Sequence, residues 1–327
     1  MSQRPGRRKT DQVIRVAIVG AGIMGTNHTR LLATIPGFEI VAIVDPNEER
    51  ANALARTVDA DVMTLSELAG VVDATVVSAP SDKHAELGVP LLEAGIDVLI
   101  EKPIASTVED ARKLVETAAA NDRILMVGHI ERFNAAVVGL HTLIDNPLHI
   151  EFTRMSPYPN RISADVVVDL MIHDLDLVRA LIGAKDFTSI SAVGRSVRSG
   201  ETDVASCLLT ADNGVTATLT ASRVGQNKIR TIEVTQKCNF VSADLLRQDI
   251  NIHRVEHSEF VSDHGTRYSQ SGVVEIPYLE RTGEPLRAEL EAFLTSLLNR
   301  SAPPVTGEDG LAALEFAMQV SSLASGN

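Results

Sequence analysis

Lys102 stands where a strand is expected to end, and its side chain is suited to chemistry at an oxygen atom. It follows the apolar run Val98–Ile100 and Glu101, and it precedes Pro103. An ammonium group at the carboxyl end of a strand can polarise a carbonyl group and stabilise a developing alkoxide. The sequence therefore makes Lys102 a candidate catalytic residue. The alternative is a surface lysine paired with Glu101.

Asp169 and His173 form a second candidate pair. They stand four positions apart in a helix predicted over Asp165–Leu181, so they share one helical face. Histidine is the natural proton acceptor near neutral pH, and an aspartate beside it can fix its tautomer or hold a substrate hydroxyl. The alternatives are a pair that only stabilises the helix, or half of a metal site. We expect their neighbours Asp174 and Asp176 to point to other faces and to be solvated.

A glycine-rich motif, Gly20-Ala21-Gly22-Ile23-Met24-Gly25, follows the apolar run Val13–Val19 and opens the helical stretch Ile23–Ala33. Its glycines permit a tight turn, a close approach of the backbone to a pyrophosphate, and the packing of helix on strand. The helix N-terminus adds N–H groups and a partial positive charge for the phosphates. The motif therefore predicts a dinucleotide site. The alternatives are a flavin site or a related domain that binds nothing.

Asp45 supplies the second part of this nucleotide signature. It ends the next apolar run, Val41–Val44, about 20 positions after Gly25. A carboxylate at this place accepts hydrogen bonds from the adenosine ribose hydroxyls, and it would repel a 2′-phosphate. The sequence therefore predicts NAD as the cofactor and favours it over NADP.

Alternating strands and helices predict a first domain over residues 13–128. The apolar runs predicted as strands are Val13–Val19, Ile40–Val44, Ala74–Ser78, Val98–Ile100 and Ile124–Val127. The amphipathic stretches predicted as helices are Asn47–Thr57, Ser81–Ala94 and Thr107–Ala120. Continuous apolar strands separated by helices indicate an α/β Rossmann fold, a doubly wound parallel sheet whose ligands lie at the carboxyl ends of its strands.

Residues 129–327 are predicted to form a second, α+β domain. A helix over Glu131–Leu143 leaves the first domain, and two helices end the chain near Glu284–Asn299 and Gly307–Leu323. Period-two alternation predicts strands at Ile150–Met155, Ser189–Val197, Asp203–Thr210, Val215–Ala221, Thr231–Thr235, Phe240–Leu245 and Val273–Ile276. Such alternation indicates an antiparallel or mixed sheet with one solvated or partner-covered face.

Composition excludes several classes of function. The net charge of −13 argues against a nucleic-acid groove, because phosphate binding needs clustered Lys and Arg. No apolar run reaches the roughly 18–20 residues of a membrane span. The basic segment 1–12 lacks the apolar core of a secretory signal, and we interpret it as a disordered tail. Cys207 and Cys238 fall in apparent strands without metal-ligand spacing, which favours two core thiols, a cytoplasmic protein and no metal.

Four segments together resemble the Gfo/Idh/MocA oxidoreductase family. They are Val16–Gly25, Ala79-Pro80-Ser81-Asp82-Lys83-His84, Glu101-Lys102-Pro103 and the helix segment Asp169–Asp176, and the likeness extends from Val13 to about Ser321. The resemblance implies a Rossmann domain followed by an open, mostly antiparallel sheet that mediates a homodimer or homotetramer. It also implies that Lys102, Asp169 and His173 converge on the substrate.

The resemblance further implies that Pro80, His84, Glu101 and Lys102 line the cofactor cleft. For His84 the alternative is a residue that only caps the helix Ser81–Ala94. Many members carry a glycine run before the substrate helix, whereas this chain has Asp165-Val166-Val167-Val168. Without the backbone freedom of glycine, the substrate pocket is expected to be shaped differently.

Two further segments resemble a subgroup that includes UDP-N-acetylglucosamine 3-dehydrogenases. They are Gly128–Asn134 and Ser156-Pro157-Tyr158-Pro159-Asn160-Arg161. This likeness implies that Tyr158 and Arg161 contact a sugar or a diphosphate, since arginine suits phosphate oxygens. The alternative for Arg161 is a structural salt bridge.

These observations predict an NAD-dependent dehydrogenase that transfers a hydride to or from a secondary hydroxyl of a sugar or nucleotide sugar. In the oxidative direction, His173 accepts the hydroxyl proton, Lys102 holds the oxygen, and Asp169 orients His173 or a neighbouring hydroxyl. The alternatives are an inositol or polyol 2-dehydrogenase and a non-catalytic NAD-binding regulator. A regulator needs neither Lys102 nor His173.

Overall fold

A computed structural model describes residues 13–158, 164–183, 186–262, 265–280 and 283–326. They form two compact units. The first holds the chain up to residue 130 together with 283–314, and the second holds 131–282 and the chain from 315 onward. The predicted tail 1–12 and Arg161 lie outside the described residues.

The first unit contains a six-stranded parallel sheet. Its strands are β1 (Ile14–Val19), β2 (Phe38–Val44), β3 (Asp61–Val62), β4 (Ala74–Val77), β5 (Asp97–Glu101) and β6 (Leu125–Gly128). Its helices are α1 (Ile23–Leu32), α2 (Glu48–Ala55), α3 (His84–Glu93) and α4 (Val108–Ala120). The strand order β3-β2-β1-β4-β5-β6 confirms the predicted Rossmann fold.

The order of the strands reverses between β1 and β4, and this reversal places the ligand crevice. Both strands are almost wholly buried, as expected of strands covered by helices on both faces. The chain leaves β1 at Gly20 and β4 at Ser78, so these two turns border the same crevice. Helices α2 and α4 begin where Asn47 and Thr107 accept backbone N–H groups of the first turn.

The second unit contains an eight-stranded sheet. Its strands are β7 (Pro147–Met155), β8 (Phe187–Arg195), β9 (Val204–Ala211), β10 (Thr216–Ser222), β11 (Ile229–Gln236), β12 (Phe240–Asp244), β13 (Asp249–Ser262) and β14 (Gly265–Glu275). Its helices α5 (Ala135–Leu143) and α6 (Ile172–Ile182) lie before and after β7 in the chain. The sheet order is β14-β13-β12-β11-β7-β10-β9-β8, and β7 with β10 is its parallel pair. The mostly antiparallel α+β architecture is therefore confirmed.

The two faces of this sheet differ in polarity. Ile150 and Phe152 of β7 are fully buried, whereas Glu151 between them is exposed. On β8 and β9, Val193 is 68% exposed and Leu208 is 52% exposed. One face therefore builds the core of the unit, and the opposite face presents apolar side chains to its surroundings.

The contacts assign the last two helices differently from the sequence-based division, which placed all of 129–327 in one domain. Helices α7 (Pro285–Asn299) and α8 (Gly307–Ser325) follow the second sheet in the chain, yet α7 and the start of α8 belong to the first unit. Leu294 of α7 approaches Gly37, and the N–H of Val127 donates to the carbonyl of Val305 at 3.1 Å. Helical periodicity identifies a helix but not the sheet that it covers, which accounts for the difference.

The expectation of two core thiols is correct for only one of the two cysteines. Cys207 is buried in β9, and burial raises the pKa of its thiol to about 12, whereas Cys238 is exposed between β11 and β12 and is not a core thiol.

Within the described ranges, none of the helices has the length and the apolar character that crossing a bilayer requires.

Candidate functional site

The glycine-rich turn after β1 is held against the turn after β4. Gly20 has a φ of 106°, a conformation that favours glycine, and a Cβ there would lie 2.9 Å from backbone atoms of Ser78 and Ala79. The Ser78 hydroxyl donates to the Gly20 carbonyl at 2.9 Å. A Cβ on Gly25 would run into the Gly20 carbonyl, so helix and turn pack closely. Close packing within the protein therefore explains why glycine is required at positions 20 and 25.

Gly22 has no such explanation in the protein itself. Its φ of −82° suits any residue, and a Cβ there would meet no atom within 4 Å. It caps the N-terminus of α1, where Ile23 is 84% exposed. A helix N-terminus with open space at its cap is a fit for a pyrophosphate. The residues of the turn thus suit the predicted dinucleotide.

Asp45 lies beside this turn at the end of β2. Its Oδ2 accepts the N–H of Ala21 at 2.7 Å and its Oδ1 accepts the N–H of Asn47 at 2.8 Å. Arg50 reaches Asp45 at 3.5 Å. Each carboxylate oxygen has two lone pairs, so Asp45 retains acceptor capacity for ribose hydroxyls while it also fixes the glycine turn.

Pro80 and His84 follow β4 at the same edge of the sheet. Pro80 is exposed, whereas His84 is 1% exposed. The His84 Nδ1 lies 3.0 Å from the Pro103 carbonyl and its Nε2 lies 2.9 Å from the Ala79 carbonyl. Burial lowers the pKa of His84, which favours the neutral ring. His84 thus connects the turn after β4 to the turn after β5 through its two ring nitrogens.

Glu101 and Lys102 end β5, next to that connection. The Glu101 Oε1 lies 2.7 Å from the buried His28 Nε2, and its Oε2 accepts the backbone N–H of Lys102 at 3.3 Å. Lys102 is half-buried. The structure therefore places Lys102 at the carboxyl edge of the sheet, as predicted. The Glu101 carboxylate was predicted to line the cofactor cleft. In the structure its two oxygens contact the His28 imidazole and the Lys102 backbone N–H.

In the second unit, Asp169 and His173 lie on a helical segment that is otherwise largely buried. A π-helical segment spans Val167–Met171 and continues into α6. Asp169 and His173 are half-buried, whereas Met171, Ile172 and Leu175 are fully buried. The structure brings Asp169 and His173 onto one accessible part of this segment, and π-helical turns occur frequently at functional sites.

Asp165 begins this segment in place of the missing glycine run. Its Oδ1 accepts the N–H groups of Val167 and Val168 at 2.7 and 3.0 Å. Its Oδ2 accepts the hydroxyl of Ser321 at 2.5 Å. An aspartate cap therefore starts the helical segment without glycine's freedom.

Asp174 and Asp176 are buried, so the expectation that they are solvated was wrong. Asp174 accepts from both Arg154 Nε and Nη2, the latter at 2.7 Å, and Asp176 accepts from Arg132 at 2.5 Å. Glu131 also binds Arg154, at 3.0 Å. Burial alone would lower the pKa of Arg154, but Asp174 and Glu131 raise it above its ordinary value. Sequence spacing gave no sign of these partners, because Arg154 comes from β7.

Sequence reasoning also missed an ion pair that holds the start of this segment. Arg223 and Asp203 are fully buried and lie 2.9 Å apart. Arg223 also donates to the Ala164 carbonyl at 2.7 Å, and Asp203 accepts the N–H of Arg198 at 2.7 Å. The Arg198 guanidinium lies 5.4 Å from the ring centroid of Tyr158, a cation–π contact. Tyr158 thus lies beside the Arg198 cation, just beyond the end of β7.

Comparison with known proteins identifies the family. Residues 14–129 match the oxidoreductase family with an NAD-binding Rossmann fold, and residues 138–237 match the GFO/IDH/MocA C-terminal domain. The chain belongs to the GFO/IDH/MocA family. It is therefore an NAD-dependent oxidoreductase, as its first domain predicted.

Two similar proteins align over almost the whole chain. UDP-N-acetylglucosamine 3-dehydrogenase of Acidithiobacillus ferrooxidans is 29% identical over 94% of this chain and 96% of its own length. scyllo-Inositol 2-dehydrogenase (NAD⁺) of Bacillus subtilis is 26% identical over 92% of this chain and 91% of its own length. A crystal form of the Acidithiobacillus enzyme matches with a TM-score of 0.86, covering 96% of this chain and 98% of that one.

Gly22→Ala should weaken NAD binding without weakening the fold. The new Cβ meets no protein atom but fills space that the pyrophosphate needs, so we expect the Kd for NAD to rise about tenfold or more. Titration calorimetry with NAD measures the affinity, and urea unfolding measures stability. Gly200→Ala is the control, because a Cβ there also meets open space but in the second unit. Unchanged NAD affinity in Gly22→Ala would contradict this assignment.

His84 should make the first unit less stable in acid. Its folded-state pKa lies below its unfolded value of about 6.5, so the unfolded chain binds the proton more readily and stability falls as pH drops below that value. His84→Gln removes this titration. We therefore expect the unfolding free energy, measured in urea at about pH 7.5 and about pH 5.5, to depend less on pH in the variant. His253→Gln, at an exposed position on β13, is the control, and an equal pH dependence in all three proteins would refute the prediction.

Proposed function

We propose that this protein interconverts a secondary hydroxyl and a ketone on a nucleotide sugar of the UDP-N-acetylglucosamine type. The observation that carries the proposal is the accessible Asp169–His173 face on a largely buried helical segment. An accessible acid–base pair on such a segment is where a substrate hydroxyl can be bound. The position of Lys102 at the carboxyl end of β5, in the NAD-binding unit, supports the same reaction.

In the oxidative direction, the proposed roles divide between the two units. His173 accepts the proton of the reacting hydroxyl, and Asp169 orients the imidazole or holds a neighbouring hydroxyl. Lys102 binds the reacting oxygen and stabilises its alkoxide character. Bound NAD supplies the nicotinamide that accepts the hydride. Gly20, Gly22, Ile23, Met24, Gly25 and Asp45 hold the dinucleotide in this proposal, while Pro80, His84 and Glu101 border the cleft.

Lys102→Ala should abolish most turnover and leave NAD affinity intact. Loss of an electrostatic stabiliser at the reacting oxygen is expected to lower kcat by about 100-fold or more. Steady-state absorbance of the reduced cofactor measures turnover, and calorimetry measures NAD binding. Lys113→Ala, an exposed lysine on α4, is the control. Normal turnover by Lys102→Ala would refute the mechanism.

The nucleotide-sugar assignment is supported by the Tyr158–Arg198 pair. Asp203 accepts the N–H groups of Val197, Arg198 and Ser199, so the loop that carries Arg198 is fixed. The same loop binds the helix start, since the Val166 N–H donates to the Thr202 carbonyl at 2.9 Å. A fixed arginine beside an aromatic ring suits the binding of a diphosphate and of a sugar or base. Arg161 lies outside the described residues and is proposed to contact a diphosphate or a sugar of the substrate.

A panel of UDP-sugars and inositols should separate the candidate substrates. We expect turnover of a UDP-N-acetylhexosamine, and Arg198→Ala should raise its KM about tenfold while leaving the KM for NAD unchanged. Arg254→Ala, at an exposed pair on β13, is the control. Turnover of inositols with no effect of Arg198→Ala would favour the polyol dehydrogenase. NAD binding with no turnover of any substrate would favour a regulator.

We also propose that the protein is cytoplasmic and forms a homodimer or homotetramer through the outer face of the second sheet. Val193 and Leu208 lie on that face, next to outward-facing threonines of β10. A second copy that covers this face would bury these apolar side chains.

Leu208→Glu should reduce the molecular mass of the oligomer measured in solution. A buried, unpaired carboxylate opposes association, so light scattering should report a smaller species than for the unmodified protein. Leu246→Glu, at an exposed turn, is the control. A monomeric unmodified protein, or an unchanged mass in Leu208→Glu, would contradict this interface.

A further inference from the structure

Asp165 connects the start of the π-helical segment to a distant part of the chain within the second unit. Its Oδ1 accepts the N–H groups of Val167 and Val168, and its carbonyl oxygen accepts the N–H of Asp169 at 3.0 Å. Its other carboxylate oxygen, Oδ2, accepts the Ser321 hydroxyl at 2.5 Å, across 156 positions of sequence. One aspartate therefore binds both the first turn of the segment and the last helix of the chain.

Ser321 lies on a part of helix α8 that is closely packed in the second unit. Phe316 stacks on Phe187 of β8, with 4.7 Å between the ring centroids. Nearer the end of the helix, a Cβ on Gly194 of β8 would come within 2.9 Å of the Ala324 carbonyl oxygen, so the backbones of helix and strand lie close together. Because these contacts stand on both sides of Ser321 in the sequence, its hydroxyl is presented from a fixed position.

The two oxygens of the Asp165 carboxylate make its two sets of contacts dependent on one another. Rotating the carboxylate away from Ser321 would also move Oδ1 away from the N–H groups at the helix start. A hydroxyl bound to a carboxylate forms a charge-assisted hydrogen bond, which is stronger than a bond between neutral groups. A glycine at position 165 would supply neither contact and would leave the backbone more freedom. The first turn of the segment is therefore held from helix α8.

The placement of Asp169 and His173 depends on this first turn. The Asp169 N–H binds the Asp165 carbonyl, and the π-helical segment continues directly into α6, which carries His173. Proton transfer requires a base within hydrogen-bond reach of the substrate hydroxyl, and a small misplacement of such a group lowers the rate strongly. A contact that fixes the first turn can therefore influence the reaction from a distance.

We propose that Ser321 is a positioning residue, and that its hydrogen bond to Asp165 holds the first turn of the segment so that Asp169 and His173 are placed for proton transfer. Ser321 acts on these two side chains through Asp165. In this chain, an aspartate linked to the C-terminal helix thus takes the place of the glycine run before the substrate helix. The effect on turnover rests on the function proposed above.

Two substitutions of Ser321 separate a positioning role from a contribution to stability alone. Ser321→Ala removes the hydroxyl, so kcat should fall about tenfold, while the Kd for NAD and the KM for the sugar substrate stay within about twofold. Ser321→Thr keeps a hydroxyl, so kcat should remain within about twofold of the unmodified enzyme. Ser325→Ala is the matched control, because the Ser325 hydroxyl donates to carbonyl groups of its own helix.

Hydrogen–deuterium exchange tests the same link without a substrate. In the full-length protein with bound NAD, the three amides that Asp165 binds should exchange about tenfold faster in Ser321→Ala, because the turn opens more readily. Ser321→Thr and Ser325→Ala should exchange like the unmodified protein. Asp165→Gly removes both contacts of the carboxylate and should exchange at least as fast as Ser321→Ala. These rates do not depend on a catalytic role of His173, so failure of this proposal is distinguishable from failure of the proposed function.

Three results would overturn the proposal. Unchanged exchange in Ser321→Ala would mean that helix α8 does not hold the turn. Faster exchange with unchanged kcat in Ser321→Ala, when His173→Gln is inactive, would mean that the turn does not position the acid–base pair. An equal loss of kcat in Ser321→Thr and Ser321→Ala would mean that the hydroxyl is not the group that acts. Full turnover by His173→Gln would instead refute the proposed function, while the exchange rates would still decide whether Ser321 holds the turn.

Discussion

The largely buried carboxylate of Glu101 requires hydrogen-bond partners, and this requirement constrains the end of β5 in the first unit. It ends a buried parallel strand, and a charge in that position must be hydrogen-bonded to be tolerated. His28 meets one of its oxygens and the Lys102 N–H meets the other. Gly128 lies next to it on β6, where a Cβ would come within 3.2 Å of Oε2. The residue beside the candidate catalytic lysine is therefore held by the interior of the protein.

In the second unit, buried charges are compensated by ion pairs between oppositely charged side chains. Arg154 of β7 is 2% exposed and binds Asp174 of α6 and Glu131. Removing one partner of such a cluster would leave an uncompensated buried charge, so the helix has a strongly preferred orientation on the sheet. That orientation leaves Asp169 and His173 accessible while the apolar residues of the same segment are buried. Charges within the core thus determine which side chains the segment presents.

The pattern of apolar residues in the sequence predicted a strand or helix correctly where the buried positions of that element follow a regular order along the chain. The continuous apolar runs of β1, β4 and β5 identified parallel strands, and the glycine spacing identified the nucleotide turn. Strand β13 was missed because its sequence is rich in charged and histidine side chains and lacks clear alternation. The buried states of Asp174 and Asp176 were missed because their partners, Arg154 and Arg132, are 20 and 44 residues away.

The sequence by itself determined the fold class and the dinucleotide turn, and it singled out Lys102, Asp169 and His173 as candidate site residues. Each of these predictions depends on neighbours within a few residues or on the order of strands and helices along the chain. Only the tertiary structure decided that α7 packs in the first unit and that His84 joins two turns. These facts arise from contacts between residues far apart in the chain. No local period records such contacts, since they form only when separate elements pack together.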